Sequence, residues 1–223
     1  MKNYFINYGI RGETLFWIKS FLDNRSQSVA INGSLSNRIP VSSGGPQGSV
    51  IGPLLFLIYI NDLPEHVTCK TRLFADDTAI YLSLKSDTQA AILQHDIEML
   101  EELESKWDMH FNPSKCQVIH VTRSKNIINT SYILHNPSLE SVPSATYLGV
   151  TISQDLSWNT HIDNITKKAN QSLGFLRRNI KVHLQALKAT AYSTLVRPQL
   201  EYCSAVWSPH TETHIYQLEA VQR

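Results

Sequence analysis

Two short apolar, β-prone runs meet at a pair of adjacent carboxylates in Leu73-Phe74-Ala75-Asp76-Asp77-Thr78-Ala79-Ile80-Tyr81, and this stretch most constrains the chain. Two like charges side by side between hydrophobic strands cost free energy unless something positive sits on them, and a divalent cation is the usual partner. The pattern predicts a hairpin with Asp76 and Asp77 at its tight turn. Successive side chains along a strand face opposite ways, so one carboxylate points squarely at a metal while the other is less direct, and Asp76 is the expected direct ligand. Aspartate is also a common turn residue, and on these nine residues alone an ordinary Asp-Asp turn fits equally well.

A chain of 223 residues is long enough to bury a real core as one large domain or two small ones. With 42% hydrophobic and 17% charged residues it reads as globular rather than disordered. The longest apolar run, residues 50–60, contains Gly52 and Pro53 and is too short to span a bilayer, so no membrane partner is expected. Met1 leads through Lys2-Asn3-Tyr4 into a mixed polar stretch, so no cleavable secretory leader is expected. Three scattered cysteines, Cys69, Cys116 and Cys203, predict a reducing, intracellular compartment and no zinc site. Charge is unevenly placed: residues 160–223 hold eight Lys/Arg against four Asp/Glu, whereas residues 1–111 hold nine against 13. The basic last third suits a surface that meets phosphates, and a solvated helical face has the same composition.

Residues 13–22 carry apolar side chains at Leu15, Phe16, Ile18, Phe21 and Leu22, the spacing of a short amphipathic helix. Residues 27–31 and 35–41 read as β-structure broken by Asn32-Gly33, a strong hairpin signal, and this region is expected to be scaffold. Ser42-Ser43-Gly44-Gly45-Pro46-Gln47-Gly48-Ser49 is a loop whose backbone can approach a ligand closely, and it feeds the helix-length segment 50–60, with Pro53 in its first turn. Amides feeding a helix N-terminus favour anionic ligands. Residues 88–110 give the clearest helix, with Ile92, Leu93, Ile97, Leu100, Leu103 and Trp107 on one face and Glu98, Glu101, Glu102 and Glu104 on an expected solvated face. Pro113 turns the chain, and strands are expected at 117–122, 131–134 and 145–152. Helices follow: one with apolar positions from Ile162 to Ile180, one over 184–196 and one over 213–222, with Trp207, Tyr202 and Tyr192 expected in their core.

In order and spacing, the loop at 42–49, the helix after it, the Asp-Asp hairpin, Asn112-Pro113-Ser114-Lys115-Cys116 and Tyr147-Leu148-Gly149-Val150 resemble a polymerase palm. They look like the reverse transcriptase of a non-LTR retrotransposon of the jockey-like LINE kind, from Tyr8-Gly9-Ile10 to Leu218-Glu219-Ala220-Val221-Gln222-Arg223. Residues 195–202 with Trp207 resemble the thumb-side tail of those enzymes rather than a viral RNA-copying polymerase. The resemblance implies an α+β fold. A right-hand polymerase palm, a small antiparallel sheet packed on helices, would fill residues 1–156, and a helical, basic, thumb-like region residues 157–223.

The resemblance also implies an RNA-directed DNA polymerase that uses Mg2+ or Mn2+, an RNA template, a DNA primer and dNTPs. It makes Asp76 and Asp77 catalytic metal ligands and places Lys115 near the departing pyrophosphate. Ser43, Gly44, Pro46, Gln47 and Gly48 would line the nucleotide and template surface, although relatives more often have an apolar residue where Gly45 stands. Tyr147, Leu148 and Gly149 would grip the primer, and Lys167, Lys168, Arg177 and Arg178 would face the nucleic-acid backbone. Nucleotidyl transfer uses two metal ions roughly 3.5–4 Å apart, held by carboxylates from two strands. In the family the second carboxylate precedes the residues matching Tyr8-Gly9-Ile10, and the fingers come earlier still. The expectation is therefore an N-terminally truncated chain with half of a metal site, inactive alone; the alternatives are a catalytically silent RNA- or DNA-binding remnant and an unfolded pseudogene product.

Overall fold

Asn32 and Gly33, at φ 49° and 82°, close the first hairpin of the chain where the Asn-Gly signal predicts it. The structure, a computed structural model, describes residues 2–222 apart from 125–127, 129, 182 and 183. Met1 and Arg223, the ends of the expected palm and thumb-like regions, lie outside the described residues. The chain divides into two units, Met1–Asn112 with Ile133–Pro137, and Pro113–Tyr132 with Ser138–Arg223.

In the first unit α1 (Lys2–Asn7) and α2 (Gly12–Leu22) precede a β-ribbon: β1 (Arg25–Gln27), β2 (Ala30–Ile31), β3 (Ser34–Leu35) and β4 (Ile39–Val41). β1 pairs with β4 and β2 with β3, both antiparallel. α3 (Gly52–Ile60) starts two residues later than its apolar run, with proline in its first turn. Phe5, Ile18 and Leu55 bury one small core between these helices. The carboxylate hairpin follows as β5 (Lys70–Phe74) and β6 (Asp77–Tyr81), and then α4 (Asp87–Trp107). α4 stops three residues short of its expected end because Asp108 turns left-handed at φ 50°, its N–H closing on the Glu104 carbonyl. Leu63, Leu100, Leu103 and Trp107 form the second core, against which Leu73 and Ile80 of the hairpin pack.

The second unit holds β7 (Gln117–Val118), β8 (Glu140–Ser141), β9 (Ser144–Tyr147) and β10 (Val150–Ser153). Then come α5 (Asn159–Asn179), α6 (Gln185–Leu195), α7 (Arg197–Glu201), α8 (Ser204–Trp207) and α9 (Glu212–Gln222). Ala169, Val196, Leu200 and Val221 knit α5, α7 and α9 together, and Val150, Ile162 and Trp207 join β10 to α5 and α8. Among the described residues no helix is long and apolar enough to cross a membrane.

The fold is α+β, as expected, with several local corrections. In place of one small antiparallel sheet the described strands form two-stranded pairs, and β7 lies parallel to β8. The strand expected at 131–134 shrinks to a single bridge residue, Ile133, beside the Leu139 N–H donating to the Tyr132 carbonyl at 2.7 Å, and the chain bends from Leu134 to Pro137. Only Gln117 and Val118 pair within the strand expected at 117–122. Glu104 leaves the solvated stripe: it is buried, and it accepts the Phe111 N–H at 2.7 Å beside His110 and His135. Trp207 is core, Tyr192 half-buried, and Tyr202 exposed rather than core.

Candidate active-site hairpin and nucleic-acid residues

Phe74 and Asp77 face each other across the β5–β6 ladder, so Ala75 and Asp76 are the two turn residues and Asp77 opens β6. Ala75 stands at φ 51°, a left-handed conformation unfavourable for a side-chain-bearing residue, beside the two acids. Asp76 and Asp77 are both exposed. Among the described residues neither carboxylate makes an ion pair, and Arg72 of the same hairpin lies over the Tyr81 ring at 5.7 Å.

Two features fix this tip. Leu73 and Ile80 pin the inner face of the hairpin to Trp107 and its neighbours on α4. Asp96, also on α4 and fully buried, accepts the backbone N–H groups of Thr68 at 3.0 Å and Cys69 at 2.6 Å, immediately before β5 begins. Burial works to raise the Asp96 carboxyl, and the hydrogen bonds from Cys69 and Thr68 outweigh it and hold the carboxyl below its ordinary range. The same burial, with Asp96 beside it, pushes the Cys69 thiol up to about 12.

The glycine-rich loop is an exposed strap. Ser43, Gly44, Gln47 and Gly48 are exposed and Pro46 half-buried. Gly44 and Gly48 take φ 74° and 77°. The Arg25 guanidinium donates to the carbonyls of Ser43 and Gly44, tying the loop to β1. Ser49 accepts the Gly52 N–H at 3.1 Å and donates to the Pro46 carbonyl at 2.7 Å. A Cβ on Gly52 would sit 2.6 Å from that hydroxyl and 3.1 Å from the Pro46 carbonyl, so a larger residue there would push Ser49 out of these bonds.

In the second unit Lys115 ends the 3-10 turn Pro113–Lys115 and is exposed. Tyr147 pairs with Val150, leaving Leu148 and Gly149 as a two-residue turn at φ 49° and 80°. The Tyr202 hydroxyl donates to the Leu148 carbonyl at 3.1 Å, and its own carbonyl accepts the Trp207 indole N–H at 2.8 Å. Lys167, Lys168, Arg177 and Arg178 are all exposed along α5, opposite buried Ile162, Thr166 and Ala169.

An ion such as Mg2+ takes one or two carboxylates and fills its shell with water and substrate phosphates, so one acid pair suits one ion and a second ion needs further carboxylates. Asp76 and Asp77 are the right donors in type. Among the described residues no group of three or more His, Cys, Asp or Glu is placed to hold a metal ion, so these residues do not fit a two-ion centre. Sequence reasoning missed Arg25, Asp96 and Tyr202. Arg25 and Tyr202 carry no local signal, whereas Asp96 is detectable as a lone acid on the apolar side of α4, next to Ile97 and Leu93.

The chain is an α+β protein that presents an Asp-Asp hairpin on a supporting helix. Residues 4–152 match the family described as "Reverse transcriptase (RNA-dependent DNA polymerase)". The chain belongs to that family, on its non-LTR retrotransposon branch. It is similar to "RNA-directed DNA polymerase from mobile element jockey" of Drosophila melanogaster, 29% identical across 92% of this chain. The jockey protein of Drosophila funebris, also 29% identical, and "Probable RNA-directed DNA polymerase from transposon X-element" of D. melanogaster, 27% identical, match over the same share of this chain. The chain spans about a quarter of the length of these relatives, 24% in each case. Residues 158–193 also match a family described as "Alkylated DNA repair protein alkB homolog 8, N-terminal".

Proposed function

We propose that these residues are the palm (1–156) and thumb-like region (157–223) of an RNA-directed DNA polymerase that copies an RNA template onto a DNA primer from dNTPs. The observation that carries the reading is the exposed, helix-anchored Asp76-Asp77 tip inside the span that matches the family. Mg2+ or Mn2+ is the proposed divalent ion. Among the described residues no third acid is grouped with Asp76 and Asp77, so a two-ion centre needs a further carboxylate brought to them. What the chain's own residues contribute is placement. The Arg25-strapped loop with Ser43, Gly44, Pro46, Gln47 and Gly48 offers amides to nucleotide and template, the Tyr147-Leu148-Gly149 turn holds the primer, Lys115 faces the pyrophosphate, and the basic side of α5 meets backbone phosphates. An intracellular setting is proposed on the scattered cysteines.

Primer extension on poly(rA) with oligo(dT), in Mg2+ and in Mn2+ separately, tests this beside Asp76→Ala and Asp77→Ala. Incorporation of dTTP by the chain and not by the variants establishes catalysis by the hairpin. Silence in all three favours a second reading, binding without chemistry, which the exposed basic side of α5 and the incomplete ligand set support. That reading predicts a strongly salt-dependent affinity for RNA–DNA hybrid, weakened in Lys167→Ala/Lys168→Ala.

A further inference from the structure

A cavity of about 860 Å3 opens beside the N-terminus of α5, and none of the candidate site residues lines it. Asn159 and Thr160, the first two residues of this 21-residue helix, form one wall. The helix carries no acid in its first turn, and Trp158 provides no side-chain cap. The first intrahelical bond runs from the Ile162 N–H to the Trp158 carbonyl, so the N–H groups of residues 159–161 have no acceptor within the helix. This end is therefore a cluster of donors carrying the positive pole of a long helix. Arg123 brings a cation to the same cavity.

A second observation is independent of the helix. Ser153, at the end of β10, lines the cavity, the residue is only 6% exposed, and its hydroxyl has no hydrogen-bond partner among the described residues. A buried hydroxyl left unpaired is unfavourable, and a ligand oxygen would satisfy it. The one acid on the wall, Asp155, is already engaged. It accepts the Ser157 N–H at 2.9 Å, and that bond, with a smaller effect from Arg123, holds its carboxyl below the ordinary range. Its charge offsets part of the Arg123 charge and sets the affinity at a modest level.

Helix N–H donors, a guanidinium and an unpaired buried hydroxyl around one cavity match a tetrahedral oxyanion with several acceptor oxygens. We infer that this cavity is a phosphate-binding site, taking a phosphate either free or on a nucleic-acid backbone. The site stands without the polymerase reading, and a backbone source would join the two.

The test is a titration of the full chain, followed by 15N amide spectra, with inorganic phosphate against sodium chloride at matched ionic strength. Saturable shifts at the Asn159, Thr160 and Ser153 amides are expected with phosphate and not with chloride. Binding should weaken roughly tenfold in Arg123→Ala. It should weaken roughly threefold in Ser153→Ala, a variant that removes a hydroxyl without a partner and so keeps the fold. No saturable shift beyond the chloride control overturns the proposal, and so does unweakened binding in Arg123→Ala. Competition by an abasic deoxyribose-phosphate oligomer assigns the backbone as the source, and phosphate binding without such competition assigns free phosphate. Loss of all hybrid affinity with phosphate shifts intact would sink the nucleic-acid reading alone, whereas hybrid binding with no phosphate shifts would sink this site alone.

Discussion

Asp96 accepts the Cys69 N–H at 2.6 Å and the Thr68 N–H at 3.0 Å, so one buried residue of α4 sets where the strand leading to Asp76 begins. Hydrogen bonds to a charged acceptor contribute about 1.5–3 kcal/mol each. Asp96→Ala leaves two N–H groups without their acceptor and should cost about 3 kcal/mol, read from the midpoint and slope of urea unfolding. Asp96→Asn retains one acceptor oxygen and should lose less. Because the folded carboxyl is held below its ordinary range, its contribution is complete above the unfolded pKa, roughly 4, and is lost as pH falls through the folded value. The stability gap between the parent and Asp96→Asn should therefore be constant from neutral pH down to roughly pH 5 and close on further acidification.

The same bond predicts thiol chemistry. Burial first, then Asp96, pushes the Cys69 thiol up to about 12, so almost no thiolate exists there at pH 8. Cys203 is exposed. Iodoacetamide labelling read by peptide mass spectrometry should modify Cys203 in the native chain and reach Cys69 only in denaturant. Labelling of Cys69 at the Cys203 rate in native buffer would show that this corner opens freely.

In the second unit His161 lies between Trp158 and Trp207, with ring centroids 6.3 Å and 5.1 Å away. Its Nδ1 accepts the Thr151 N–H at 3.1 Å, so the proton of the neutral ring sits on Nε2. Burial lowers its pKa. A charged ring here would lose the Thr151 bond as well as water. The unfolded chain therefore takes up the proton first: the His161 contribution is intact above roughly pH 6.5 and declines as pH falls below it. The thermal midpoint of the parent should drop between roughly pH 7 and 5, and the drop should be shallower in His161→Gln, which keeps an acceptor but cannot titrate in this range.

The elements legible in the sequence are those whose cause is local. Asn32-Gly33 and Asp76-Asp77 each mark a hairpin, and the apolar period through Leu100, Leu103 and Trp107 marks the long helix that supports the second of them. Glu104 shows where local pattern stops being sufficient. On the helix it reads as one more acid beside Glu101 and Glu102, and it is buried because Phe111, His110 and His135 come back to it from later in the chain. Arg25 is equally silent in sequence, since its role depends on Ser43 and Gly44, 18 and 19 residues away. The carboxylates of the candidate site were legible; Asp96 shows as a lone acid on the apolar side of α4, but its role as their anchor does not, because its partners are backbone amides 27 and 28 residues upstream.

Tyr202 and the Leu148-Gly149 turn give the sharpest test of such a distant contact. Gly149 at φ 80° is in a conformation that costs an alanine about 1 kcal/mol, and its Cβ would stand 3.1 Å from the Tyr202 ring. Gly149→Ala should therefore destabilise by more than the backbone term alone, by about 1–2 kcal/mol. Tyr202→Phe keeps the ring and loses one exposed hydrogen bond to Leu148, a loss of about 0.5–1 kcal/mol. Combining Gly149→Ala with Tyr202→Ala separates the two causes, since removing the ring relieves the crowding and leaves the strain. Urea unfolding of the four chains in that cycle should show a coupling of about 0.5 kcal/mol or more, the double variant being less damaged than the sum of the singles. Strict additivity would mean that the turn holds its shape without Tyr202.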